Sequence, residues 1–581
     1  MSLPQSDPGS PASGRSRGVW RRFVRLVLPA LVVSLAFYGL MLLWFRFQML
    51  PRPERRRIVE LGLRAMLVGY ALVLGGSLLG GLATGRATYR AMRLRGDWKR
   101  PARLFLLCGS TLLSLGMVEA GSAAWLAWEH RMPALPTRFA PDDGRGRIVV
   151  LGGSGALGHP FNPNVSIGRV VAWQLGRALP GRHFEADVLA YLGASLADMH
   201  LKLAAIEHRP AAILVYSGHN EFTGRFEEER DVDLDEAPRS PLLHGLYRAS
   251  LGSPLCRMIY EALSRNRIDG PPPLTSHHRL VDSPMFTPSE RADVIRDFGR
   301  RLEAIVSYAE HVGALPILVI EAADESGFEP NRSLLPATAS EADRQWVEGR
   351  YRDARDAEKA SDWARAEAHY REIVDRQPGF AEGHFRLARL LERSGRWGEA
   401  LGHYTRARDL DGMPFRCIGP LQEIYREVAA RHPSAILVDG PAELRRICPH
   451  GIVDEHAMQD GHHASIRGIT ALSRAILREL RARKAFGWDS GPAPDLDPAA
   501  IAGHFGMDRG RWVSACDWGR SFYRWVAGFR FDPREHLAKA GKFEESGRRI
   551  AAGEAPGSTG FVPLRLDPLP PDGPDRPQHD R

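Results

Sequence analysis

Four side chains far apart in the sequence could together carry out acyl transfer. Ser154 lies in "GGSGALG" (152–158), directly after the apolar run "RIVVL" (147–151). A hydroxyl on a glycine-flanked turn at the end of a strand is a place where a nucleophile can sit. Asn220 lies in "YSGHNEF" (216–222), after another apolar run, and a side-chain amide there can donate a hydrogen bond to a developing oxyanion. In "MQDGHHASIRG" (458–468), Asp460 stands three residues before His463. A carboxylate and an imidazole at that spacing can share one turn, the acid holding the ring so that its other nitrogen faces a hydroxyl. His462 competes as the base, but the spacing from Asp460 and the "ASIRG" that follows favour His463. His219 and Glu221 read as turn or rim contacts.

A different chemistry also claims the first motif. Gly153-x-Gly155-x-x-Gly158 matches the glycine spacing of a dinucleotide-binding turn. That turn needs its glycines to open a helix directly, because the helix N-terminus supplies the amides. Here Pro160 and Pro163 follow within five residues of Gly158, and the amphipathic stretch begins only near Ser166. Two prolines so placed predict a loop. The second apolar run also ends in "AYLGAS" rather than in a terminal acid. Nicotinamide and flavin chemistry is therefore disfavoured. No C-x-x-C or His/Cys cluster suggests a metal site, so no cofactor is expected.

The elements that must position these residues alternate in type. Strand-like runs at 147–151, 185–192, 211–218, 314–322 and 434–440 are separated by helical patterns at 166–179, 196–207 and 288–312. Apolar, β-branched strands alternating with amphipathic helices predict an α/β fold: a parallel sheet covered on both faces, in three layers. The ligand crevice of such a sheet lies beyond its carboxyl ends, where Ser154 and Asn220 fall. Between the fourth and fifth strands, "SDWARAEAHY" (361–370) and "GRWGEALGHY" (395–404) repeat at a spacing of 34, with Trp363/Trp397, Ala366/Ala400, His369/His403 and Tyr370/Tyr404 identical. This is similar to the tetratricopeptide repeat, an all-α insert able to bind a peptide or protein partner or to act as a spacer. His369 and His403 share one repeat position, so repeat packing accounts for them.

With these residues in view, the chain resembles the SGNH (GDSL-type) hydrolases, in a membrane-anchored bacterial subgroup carrying inserted repeats. The nucleophile block Gly-Asp-Ser-x-x-x-Gly is matched by Gly152-Gly153-Ser154 and Gly158, the block Gly-x-Asn-Asp/Glu by Gly218-His219-Asn220-Glu221, and Asp-x-x-His by Asp460 and His463. The resemblance covers about 147–323 and 413–480. It implies a flavodoxin-like three-layer sheet and an ester hydrolase or acyltransferase with Ser154 as nucleophile, His463 as base and Asp460 orienting it. The implied oxyanion hole is the Ser154 amide, the Gly193 amide and the Asn220 side chain. Two departures stand out. Gly153 replaces the aspartate before the serine, and strict alignment of "YLGAS" puts Leu196 in the slot for which Gly193 is the natural glycine.

Charge adds a membrane. Residues 1–103 hold 18 Lys and Arg against 4 Asp and Glu, so the net charge of +9 is local. The basic residues bracket three apolar segments, about 26–45, 65–85 and 104–126, each close to the hydrocarbon thickness at 1.5 Å per residue. This argues for membrane topology and against nucleic-acid binding. Glu119, in the third segment, reads either as an intramembrane polar contact or as a helix end near the headgroups beside Trp125 and Trp128. Arginine placement puts the tail and the second loop inside. Three spans then place everything after Glu129 outside the cytoplasm, whereas two would leave it cytoplasmic. Cys108 lies in the third segment, and among Cys256, Cys417, Cys448 and Cys516 the sequence selects no pair.

The expected organisation is a basic, disordered cytoplasmic tail (1–22), a membrane region (23–128), the first part of a hydrolase domain (145–343), repeats (344–412), its second part (413–485), a C-terminal helical extension (486–553) and a disordered tail (554–581). The expected function is a membrane-anchored, extracytoplasmic serine esterase acting on an acyl ester, with O-acylated envelope glycans as candidates. The alternative is an inactive sheet that recruits partners through its repeats.

Overall fold

The computed structural model describes residues 52–94, 96–129, 132–223, 253–255, 258, 279–282, 285–286, 288–336, 338–492 and 494–571. The chain divides into two units, Met1–Arg131 with Glu236–Gly270, and the remainder.

The described part of the first unit centres on two helices, α1 (Arg52–Arg93) and α2 (Lys99–Glu129). They pair antiparallel through small residues. A Cβ on Gly80 would lie 3.2 Å from Cys108 Sγ, and one on Gly85 would lie 3.1 Å from the Phe105 ring. Without a Cβ at these glycines the two helix backbones can approach closely. Around this contact Leu72, Leu79, Leu106 and Leu113 are exposed. Among the described residues, Lys99–Trp125 is long and apolar enough to cross a membrane by length and composition. The expected segment 65–85 lies inside α1, and 26–45 lies outside the described residues. Glu119 makes polar contacts of its own: it accepts from Tyr70 Oη, from Ser253 Oγ at 2.5 Å and from the Leu255 amide at 3.1 Å.

The second unit is built on five parallel strands, β1 (Arg145–Gly152), β2 (His183–Val188), β3 (Ala212–Tyr216), β4 (Leu315–Val319) and β5 (Ile436–Val438), in the order β2-β1-β3-β4-β5. Val150 of β1 pairs with Val188 of β2 on one side and Leu214 of β3 on the other. Alternate residues serve opposite faces, as the period of a strand requires. Val150, Leu214 and Ile317 enter one core, and Val149, Val215 and Leu318 the other.

Helices follow in chain order: α3 (Ser154–Leu157), α4 (Ile167–Ala178), α5 (Leu196–Leu203), α6 (Pro288–Val312), then α7 (Glu341–Lys359), α8 (Trp363–Arg376), α9 (Ala381–Arg393) and α10 (Trp397–Asp409). After them come α11 (Gly419–Arg431), α12 (Gly440–Ile447), α13 (Ile466–Ala482), α14 (Pro498–His504), α15 (Arg509–Ala527) and α16 (Arg534–Ala551). Val170 and Leu175 of α4 and Leu472 and Ile476 of α13 fill the first core. Met199 of α5, Leu302 of α6 and Tyr425 of α11 fill the second. Both faces are therefore covered, which lets strands with no polar face stand in the middle.

Helices α7–α10 form the two repeats. Tyr370 donates to Glu358 at 2.9 Å, and one repeat later Tyr404 donates to Glu392 at 2.6 Å. Ala366 and Ala400 are fully buried where helices cross. The two equivalent histidines differ: His403 Nδ1 meets His384 Nδ1 at 2.8 Å, whereas His369 has no such partner. The three cysteines described in this unit, Cys417, Cys448 and Cys516, are buried as free thiols.

Two expectations are corrected. The second strand ends at Val188 and not at 192, because the chain turns over Tyr191–Ala194 with Gly193 at φ +74°, the left-handed region that glycine enters without a steric penalty. The segment from 554 to 571 is not a loose tail: Pro563 and Leu564 are buried, and Arg467 and Arg474 donate to the carbonyls of Asp567 and Pro570 at 3.1 and 2.9 Å. Its proline content suggested disorder, but apolar residues between the prolines give it a face to bury.

Candidate active site

Ser154, Asn220, Asp460 and His463 come together beyond the carboxyl ends of β1 and β3. Ser154 is two residues past the last pair of β1, at the start of the single-turn helix α3. Gly158 closes that turn in the left-handed region at φ +85°, where a Cβ would strike the Val165 carbonyl at 1.9 Å. The chain then loops, and α4 begins only at Ile167, with Ser166 capping it by accepting from the Arg169 amide. The glycines thus present a serine on a tight turn and do not open a long helix.

His463 sits in a tight loop before α13, where the Gln459 amide donates to its carbonyl at 2.7 Å and the Ser465 amide to the Ala457 carbonyl at 2.9 Å. Its Nδ1 lies 2.9 and 2.8 Å from the two Asp460 oxygens, and its Nε2 lies 2.7 Å from Ser154 Oγ. A carboxylate only accepts, so Nδ1 carries the proton and Nε2 accepts from the serine hydroxyl. Asp460 also accepts from the amides of His462 and His463 at 3.1 and 2.9 Å. Burial works to raise its pKa, but the His463 imidazole, its hydrogen bond and these amides outweigh that and hold the carboxyl below the ordinary aspartate range.

Of the two adjacent histidines, His463 makes both bonds. His462 packs in the wall, its ring centroid 4.5 Å from that of Phe415 and 5.1 Å from that of Phe522. Burial first, then the neighbouring His463, pushes its pKa well below the usual value, so it stays neutral. Asp460, His462 and His463 do offer ligand atoms within 4.8 Å of one another. Two of those three side chains are already committed to the bonds that lead to Ser154.

Asn220 donates through Nδ2 to the Ala194 carbonyl at 3.0 Å. Nδ2 carries two N–H bonds, so one is left over after this bond is made. Gly193 lies in the loop that supplies this carbonyl, its amide without a hydrogen bond among the described residues. The amide of the other candidate, Leu196, is already engaged and donates to Glu221 Oε1 at 3.0 Å. Glu221 thus braces the loop after β2, with burial pushing its carboxyl up to about 7.

His219 is not at the rim. Its Nδ1 accepts from the Cys417 amide at 2.9 Å and its Nε2 donates to the Ala322 carbonyl at 3.1 Å, while burial lowers its pKa to about 3. It stitches the loop after β3 to the end of β4 and the start of α11.

Four residues near the relay escaped the sequence reading: His159, Phe415, Trp518 and Phe522. Helix α15 lays Trp518 and Phe522 over the His463 imidazole, with ring centroids 6.2 and 5.9 Å from its own. His159, between Gly158 and Pro160, brings its ring to 5.3 Å from His463 and 4.1 Å from Trp518. The available signal was the aromatic density of 498–553, which showed a face in need of burial but not what it would cover. Ser154 is left only 5% exposed, so the roof decides what reaches it.

Compared with known proteins, the chain matches no family model, no curated protein and no solved structure.

Proposed function

We propose that this chain is a membrane-anchored serine esterase of SGNH type, or an acyltransferase sharing its first half-reaction. The observation that carries the reading is the continuous relay from Asp460 through His463 to Ser154, with 2.8 Å and 2.7 Å links. Ser154 Oγ attacks the ester carbonyl while His463 Nε2 takes its proton. The oxyanion gathers the Ser154 and Gly193 amides and the second Asn220 N–H. As the C–O bond breaks, His463 returns the proton to the leaving alkoxide, and water or another alcohol later releases the acyl group by the reverse steps. Losing one oxyanion donor costs about 3 kcal/mol of barrier.

The arginines that bracket the apolar segments support placing the domain outside the cytoplasm, where O-acylated envelope glycans are the candidate substrates. The exposed repeat tryptophans, Trp363 and Trp397, are available to a protein or peptide partner.

The test is labelling by a fluorophosphonate, with the modified residue mapped by mass spectrometry, together with p-nitrophenyl acetate turnover. Label on Ser154 and loss of turnover in Ser154→Ala are expected. Equal turnover in the two proteins would remove Ser154 as nucleophile and leave the recruiting reading. For the location, an alkaline phosphatase fused after Glu129 should be active, and an inactive fusion beside a fluorescent cytoplasmic reporter would reverse the topology.

A further inference from the structure

Among the described residues, three polar atoms on rings around His463 have no hydrogen-bond partner, His159 Nε2, Trp518 Nε1 and His462 Nδ1, and the first two belong to rings in contact with each other. His159 Nδ1 lies 2.7 Å from Asn162 Oδ1, and an amide oxygen can only accept, so Nδ1 carries the proton. His159 Nε2 is then a bare acceptor, and it is buried without a hydrogen bond. Burial, and then the nearness of the His463 imidazole, lowers the His159 pKa to about 4, so that lone pair is free at neutral pH. Trp518 Nε1–H, which can only donate, is likewise buried without a partner. The two rings meet edge to face with centroids 4.1 Å apart.

Leaving such a buried group unpaired is unfavourable, and here the orphaned acceptor and the orphaned donor belong to two rings in edge-to-face contact. One functional group satisfies both together. A hydroxyl donates its O–H to His159 Nε2 and accepts from Trp518 Nε1–H. A ketone or ether can accept but not donate, and an ammonium can donate but not accept.

The place of the pair says which half of a substrate carries that hydroxyl. His463 Nε2 returns its proton to the leaving oxygen, so the alcohol half of an ester must lie against the His463 ring. The rings of His462, His159, Phe522 and Trp518 lie 4.1, 5.3, 5.9 and 6.2 Å from it, and of these His159 and Trp518 are the touching pair that carries an unpaired acceptor and an unpaired donor. They therefore line the alcohol half. We propose that His159 Nε2 and Trp518 Nε1 form a subsite for a free hydroxyl next to the ester, so that the substrate is a mono-acylated vicinal diol, as in a partly O-acylated sugar. The proposal rests on Ser154 being the nucleophile.

Two simple probes separate the ideas: trans-2-acetoxycyclohexanol, which carries the hydroxyl, and cyclohexyl acetate, which lacks it. With full-length protein in detergent, kcat/KM for each is divided by its hydroxide-catalysed rate. The corrected ratio is expected to favour the hydroxy ester at least about tenfold, because a site built to bond a hydroxyl leaves polar groups unpaired when it is missing. Trp518→Phe and His159→Phe should each draw the ratio towards one. A wild-type ratio near one, or no turnover of the hydroxy ester, in protein that fluorophosphonate labels at Ser154 overturns the subsite alone. A tenfold ratio that survives both substitutions overturns its assignment to these residues. Protein that is neither labelled nor active on either ester overturns the esterase reading, and the subsite with it. The wild-type ratio needs no variant, so a misfolded substitution does not spoil the test.

Discussion

A Cβ placed on Gly153 would lie 2.3 Å from Asn220 Nδ2. The serine turn and the asparagine turn are therefore in backbone-to-side-chain contact, with no room for a methyl group between them. The Ala194 carbonyl, which holds Asn220, would be 3.0 Å from the same Cβ. A larger residue, such as the aspartate of the SGNH pattern, has no room here, because the space is taken by the Asn220 side-chain amide. Gly153 has φ −87°, so the constraint is steric and not conformational.

Gly153→Ala should then act through Asn220. Displacing that amide from its place near Ser154 is expected to lower kcat on p-nitrophenyl acetate by about ten- to a hundredfold, a fraction of what a lost oxyanion donor costs. In an Asn220→Ala background the same substitution should cost much less, since the clash partner is gone. A double-mutant cycle reads this directly, and additive losses would show that the Gly153 contact acts elsewhere.

The parts of the site that could be read from the sequence are those carried by local patterns. Apolar runs placed the five strands, and their ends placed Ser154 and Asn220, because a strand's exit point is a local matter. Asp460 and His463 share one turn, so their partnership was visible too. That the Leu196 amide is engaged was not, because its partner is a carboxylate from another loop, Glu221. His159 looked like part of a proline-rich loop. Trp518 and Phe522 belong to a helix far along the chain, and only tertiary packing brings α15 across the sheet's carboxyl edge. The packed segment 554–571 was obscured for a related reason: its composition predicts disorder, while its few apolar side chains find a groove on α13 and α16.

Asp324 gives a pH dependence with a definite sign. Burial pushes its carboxyl up to about 7, against the pull of Lys539 and the Gly327 amide, which donates to it at 2.6 Å. The folded state therefore holds this proton from about pH 4, where the unfolded chain releases it, up to about pH 7. Over that window the unfolded state binds fewer protons, so the Asp324 contribution makes stability fall as pH rises, by about 1.4 kcal/mol per pH unit. Asp324→Asn keeps an oxygen for Gly327 and removes the titration. It should melt close to the wild type at pH 4 and clearly above it at pH 8. A Tm difference that does not change between the two pH values would show that Asp324 does not titrate there.

The roof over Ser154 is held from the repeats. Glu382 of α9 is fully buried; it accepts from Arg386 Nε at 2.7 Å, from Tyr351 Oη at 3.0 Å and from Arg530, three residues beyond the end of α15, at 3.2 Å. Burial opposes its charge, yet the two guanidinium groups hold its carboxyl below the ordinary range. Glu535, just inside α16, meets the other side of Arg386 at 2.6 Å. Glu382→Ala leaves Arg530 and Arg386 buried with their shared carboxylate gone, a defect that costs about 3–5 kcal/mol in other proteins. Denaturant unfolding should show a loss of that size. Because Arg530 follows the helix that carries Trp518 and Phe522, hydrogen exchange in α15 should quicken in the same variant. A loss below about 1 kcal/mol, with α15 protected as before, would mean that the apolar contacts of Phe522 and Tyr523 hold the roof without the repeats.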